Sequence, residues 1–100
     1  MTEAVLNAIK EKRLLSFTYQ GQRRVVEPHI YGRNAAGNDI LTAWFVQGYS
    51  ESLSVPGWRS YLVSEARDLV QLDEMFEHPR PGFNPSDPHF VQVYASLETS

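Results

Sequence analysis

The chain has 100 residues, of which 42% are hydrophobic and 21% charged, with no cysteine and a formal net charge of −3. Such a length suits one domain and not two, the apolar content excludes a wholly disordered chain, and the missing thiols exclude disulfide staples and thiolate metal sites. The acidic balance argues against strong non-specific nucleic-acid binding by the chain as a whole, but residues 1–33 carry six Lys or Arg against three acids and the remainder three against nine.

Residues 2–12 read as a short amphipathic helix with Thr2 as its N-cap, Val5, Ala8 and Ile9 on one face, and Lys10, Lys12 and Arg13 near its C-terminal end, where cations suit the helix dipole. At Leu14 the period changes to two: Leu15, Phe17 and Tyr19 point one way, Leu14, Ser16 and Thr18 the other. Gln20-Gly21-Gln22 is a tight turn, and Arg23–Arg33 returns as a second strand. Pro28 inside it cannot donate to a ladder and marks an edge, a bulge or a bend. Asn34–Asn38 is a hairpin loop, and Asp39–Gln47 a third strand that is apolar on both faces. Residues 48–57 form a polar loop, and Trp58–Val63 a fourth strand. Ser64-Glu65-Ala66 is a turn with Ser64 as a plausible cap, and Asp68–Leu72 a fifth strand.

From His78 to Pro88 four prolines and a glycine forbid a helix or a central strand. The segment is expected to run over the surface as an extended arm, pinned by Phe83 and Phe90. Asp87–Leu97 is expected to end in a short helix, with Val91, Tyr94 and Leu97 at helical spacing. A helix, five short strands and a tail suggest a small barrel or sandwich spanning residues 1–76, with residues 77–100 as a proline-rich arm. The N-terminus has no secretory apolar run, and the densest apolar stretch, Leu41–Val46, is far too short to cross a bilayer, so a cytoplasmic location is expected.

Several of these features resemble the WYL domains of bacterial regulators. The family opens with an Ala-Ile pair and a strand ending in tyrosine, here Ala8-Ile9 and Ser16-Phe17-Thr18-Tyr19. A basic residue, an apolar pair and a proline follow, matched by Arg24-Val25-Val26-Glu27-Pro28, and the closing strand has an Arg-x-aromatic pattern, matched by Arg59-Ser60-Tyr61. The family's Trp-Tyr-Leu triplet falls at Asp39-Ile40-Leu41, which keeps the leucine, and two positions often basic in the family are Leu62 and Glu65. The resemblance implies a mainly β (α+β) fold, a five-stranded SH3-like or Sm-like barrel. It also implies a regulatory, ligand-sensing role, often toward nucleotides or single-stranded nucleic acid, in a free-standing member without the usual helix-turn-helix partner domain.

The residues that would carry such binding are Arg24, His29, Tyr31, Arg59 and Tyr61. Arg59 and Tyr61 lie two apart on a strand and share a face, where a guanidinium can pair with phosphate while a ring stacks on a base. Arg24 stands at the family's basic position, and its bland alternative is a partner for Glu27. His29 and Tyr31 are also two apart, and the histidine could serve a phosphate or simply make a structural hydrogen bond. Trp44 and Trp58 suit the core, although Trp58 after Pro56-Gly57 could stand exposed as a contact. No second ligand is spaced for a metal around His29, and His78 and His89 lack ligand spacing as well. No nucleophile elbow, phosphate loop or dinucleotide fingerprint is present, so neither catalysis nor a cofactor is expected. A competing expectation is a protein-interaction module, in which Pro79–Pro88 docks on an aromatic groove in cis or swaps onto a neighbour to build a homodimer.

Overall fold

The computed structural model describes the backbone of residues 2–48 and 57–97 and the side chains of 3–46 and 57–97. The Thr2 cap and most of the 48–57 loop expected from the sequence lie outside that description. Among the described residues the chain is mainly β. A helix α1 (Thr2–Glu11) precedes strands β1 (Arg13–Tyr19), β2 (Gln22–Asn34), β3 (Asp39–Gly48), β4 (Gly57–Leu62), β5 (Arg67–Met75) and β6 (Phe90–Ser96), with one 3-10 turn, Val63–Glu65, between β4 and β5. All six strands belong to one antiparallel sheet of order β4-β3-β2-β1-β5, with β6 added beside β2.

Local chemistry explains the joints. The helix stops where Lys12 takes a left-handed φ of 55°. Lys12 then offers its carbonyl to the Phe76 N–H at 2.9 Å, tying the start of β1 to the end of β5. Tyr19 pairs with Gln22 across the two-residue turn Gln20-Gly21, whose φ values of 52° and 77° suit the primed turn that matches strand twist. The β2–β3 hairpin closes on Asn34, whose carbonyl takes the Gly37 N–H at 3.0 Å and whose Oδ1 takes the Asn38 N–H at 2.9 Å. Ser64, expected as a cap, instead lies inside the 3-10 turn, which has no side-chain cap.

Strand β2 organises the sheet. One edge runs along β3 from Arg24 to Arg33, while the other edge pairs with β1 up to Val26 and with β6 from Ile30 onward. Pro28 falls in the gap between those two partners, where no N–H is needed on that edge. The register also slips between Pro28 and Ile30 against β3, leaving His29 as the extra residue of a bulge.

The C-terminal segment corrects the sequence expectation: residues 90–96 form a sixth strand, not a helix. The same residues fit either period, and the unpaired half of β2 decides between them, since an open edge of backbone groups recruits a strand. β6 lies so close that a Cβ at Gly32 would collide with the Gln92 carbonyl oxygen and the Phe90 ring.

The concave face collects the core. Val5, Ala8, Leu15, Phe17, Val26, Ala43 and Phe45 are fully buried there, with Leu41 and Tyr61 nearly so. Although β4 and β5 stand at opposite ends of the strand order, only residues 63–66 join them. Four strand spacings of about 4.8 Å make about 19 Å in a flat sheet. Five Cα steps reach about 17 Å even when extended, and a 3-10 turn shortens them further. The sheet therefore curls, and the Tyr19 hydroxyl on β1 accepts the Leu62 N–H on β4 at 3.2 Å.

Candidate ligand site at the concave mouth

Direct cross-strand partners share a face of a sheet, which places the sequence-predicted residues. Arg24 stands opposite Phe17, Arg59 opposite Ala43 and Tyr61 opposite Leu41. Arg24, Arg59 and Tyr61 thus gather on the concave face. Tyr19, which was not singled out from the sequence, joins them. Phe17, Tyr19 and Tyr61 form an edge-to-face cluster in which both Tyr61 contacts have centroid separations of 5.0 Å. The Arg59 guanidinium lies 5.5 Å from the Phe45 ring centroid, and its Nη1 donates to the Trp58 carbonyl at 2.9 Å.

The polar atoms of this cluster are incompletely matched. The Tyr61 hydroxyl and the Arg24 Nε are shielded from solvent and make no hydrogen bond of ordinary geometry. Burial raises the Tyr61 pKa above its usual value, against the opposing pull of the Arg24 and Arg59 charges and of a side-chain contact from Arg24 that is within hydrogen-bonding reach but poorly aligned.

His29 and Tyr31 do not join that cluster, nor each other. The bulge at His29 breaks the alternation that spacing by two had implied. Tyr31 turns into the core against Tyr94 at 5.0 Å. Burial raises its pKa, with smaller pushes from Asp39 and Tyr94. His29 packs on the opposite, convex side among Trp58, Phe76 and Phe83, with centroids at 4.7, 5.7 and 5.2 Å.

The two ring nitrogens of His29 are both used. Nδ1 donates to the Glu27 carbonyl at 2.7 Å and Nε2 accepts the Arg80 N–H at 2.9 Å, which assigns the neutral tautomer. Burial lowers the His29 pKa, with Arg80 adding to the effect and Glu27 opposing it. Glu27 does not pair with Arg24. Its carboxylate, 6% exposed, takes a two-pronged bond from Arg80 at 2.8 Å on each oxygen.

Arg80 also lies 5.3 Å from the Trp44 ring centroid, and the Trp58 indole N–H donates to the Pro81 carbonyl at 2.9 Å. The tail thus docks in cis on the convex face. Phe83 pins it, as expected from the sequence, and Trp58 is half-buried beneath it. The Glu27–Arg80 pair joins residues 53 apart and had no local signal beyond a basic residue set between two prolines.

A cleft of about 480 Å³ lies apart from the concave cluster, with Ile40, Thr42, Ser60, Asp87, His89 and Phe90 in its lining. Among the described residues no group of three His, Asp or Glu side chains is placed to hold a metal ion, and no helix is long and apolar enough to cross a membrane. Comparison of the chain with protein-family models, curated proteins and solved structures finds no match.

Proposed function

We propose that this chain is a WYL-like regulatory domain of the SH3-like or Sm-like barrel type, acting in the cytoplasm as a binding domain and not as a catalyst. Its ligand is a phosphate-bearing anion, a nucleotide or a short single-stranded nucleic acid, held at the concave mouth. The observation that carries this reading is the gathering of Arg24, Arg59, Tyr19 and Tyr61 on one face, where the shielded Tyr61 Oη and Arg24 guanidinium meet only in poorly aligned contact. A phosphate oxygen satisfies donors of this kind, and a base can stack on an aromatic side chain at the rim. The curl of the sheet and the 3-10 turn joining its two ends support the barrel reading.

The test is a fluorescence-anisotropy titration of labelled single-stranded DNA and RNA oligonucleotides at low and moderate salt. Binding that weakens with salt and falls at least about tenfold in Arg24→Ala and Arg59→Ala supports the reading, since a charge-assisted hydrogen bond is worth about 1.5–3 kcal/mol. Absence of binding at low salt to oligonucleotides and to mononucleotides alike contradicts it, and marks Leu62 and Glu65 as the changes that removed the activity.

A further inference from the structure

We propose that the arm, residues 79–97, exchanges between two copies of this chain, each arm seating its Arg80 on the Glu27 of the other copy. The receiving surface is specific. Glu27 is a nearly buried carboxylate whose guanidinium partner comes from the arm, and the Trp44 ring lies beside that guanidinium. His29 Nε2 and the Trp58 indole N–H wait for one backbone donor and one backbone acceptor, which Arg80 and Pro81 supply. A surface with these demands accepts the same segment equally well from a second molecule, because every contact is recreated in trans and none is lost.

The connection favours that outcome. Phe76 is fixed by its N–H to the Lys12 carbonyl and by stacking on His29. The next two residues, Glu77 and His78, have side chains 91% and 85% exposed. Pro79 biases His78 toward an extended backbone, so a chain leaving β5 tends to run straight on rather than fold back. Most of the arm between Glu77 and His89 is exposed, so the contacts that must break are the anchors, the β2–β6 ladder and the burial of Leu97, all of which re-form in trans. β6 travels with the arm and carries Val91 and Val93, 64% and 46% exposed, apolar side chains that a neighbouring copy can cover.

The absence of cysteine makes a direct test simple. Arg33 and Gln92 are register partners across β2 and β6, and both are exposed. Full-length Arg33→Cys and Gln92→Cys chains are mixed, taken through mild denaturant, refolded and oxidised. Exchange predicts a disulfide-linked 33–92 heterodimer in excess of either homodimer. It also predicts a molar mass by light scattering that rises with concentration in the unmodified chain. Deleting Glu77 and His78 leaves too little chain to fold back and should lower the dimer dissociation constant at least about tenfold. A monomer at every concentration, or a dimer that never yields the 33–92 link, overturns the proposal.

Discussion

The two faces of the sheet treat their polar groups in opposite ways. Around Arg80 on the convex face the polar groups are matched: His29 uses both nitrogens, Glu27 takes two donors from Arg80, and the Trp58 N–H finds the Pro81 carbonyl. At the concave mouth, the shielded polar atoms of Tyr61 and Arg24 meet in poorly aligned contact while Arg59 lies beside Phe45. A saturated network rigidifies and specifies a structure, whereas poorly satisfied buried polar groups need a separate reason to persist. The convex network holds the arm, and the contrast is what the proposed ligand site at the mouth rests on.

The largest effect that separates the two faces should come from Arg80→Ala. It strips a nearly buried carboxylate of its partner, and the loss, discounted for the partial exposure of Arg80, is about 2–3 kcal/mol. Chemical denaturation measures it, and a double-mutant cycle with Glu27→Gln should show coupling of at least about 1 kcal/mol. Arg24→Ala, by contrast, should change stability by less than about 1 kcal/mol, because its guanidinium makes only a poorly aligned contact with the Tyr61 hydroxyl. Equal losses at the two arginines would erase the distinction.

Gly32→Ala should follow, at about 1–3 kcal/mol, since the new Cβ meets the backbone of β6 and not a flexible side-chain end. Hydrogen exchange localises the damage. The Leu97 N–H, bonded to the His29 carbonyl at 2.9 Å, should lose protection, while the β1–β2 amides keep theirs.

A pH titration gives a smaller effect with a defined sign. The folded His29 pKa lies below its unfolded value of about 6.5. The unfolded chain therefore takes up the proton first as pH falls. The contribution of neutral His29 is fully present above about pH 6.5 and is lost as pH drops from there toward the folded pKa, with a slope of at most about 1.4 kcal/mol per pH unit. The groups facing the ring are Glu27 and Arg80, and the packed Trp58, Phe76 and Phe83 do not titrate. His29→Asn should flatten that slope, as read from denaturation midpoints between neutral and mildly acidic pH.

Much of this architecture is legible in the residues. The alternation at Leu15, Phe17 and Tyr19, the Gln20-Gly21 turn, the Asn34–Asn38 loop and the sidedness of Leu41, Ala43 and Phe45 all arise from local chemistry, and the structure matches them. What escapes is non-local. The bulge at His29 separates it from Tyr31, and Pro28 announces a break without saying on which side of it the register slips. Strand β6 exists because β2 outruns β1, a length mismatch of 13 residues against 7 that could have signalled a missing partner. Three of the five expected site residues, Arg24, Arg59 and Tyr61, come together because none of them lies beyond the bulge at His29 on β2. The Glu27–Arg80 pair depends on where the arm lands, which no spacing encodes.

The most direct measurement pairs stability with binding in Tyr61→Phe. The substitution removes only the hydroxyl, whose contact with Arg24 is poorly aligned. The account predicts stability unchanged or raised by up to about 1 kcal/mol without ligand, since a poorly satisfied polar group is taken out of the interior. It also predicts weaker, less salt-dependent binding of a single-stranded oligonucleotide. A loss of more than about 1 kcal/mol in stability, a magnitude that marks a satisfied hydrogen bond, with unchanged oligonucleotide binding would contradict the assignment of the mouth as the ligand site.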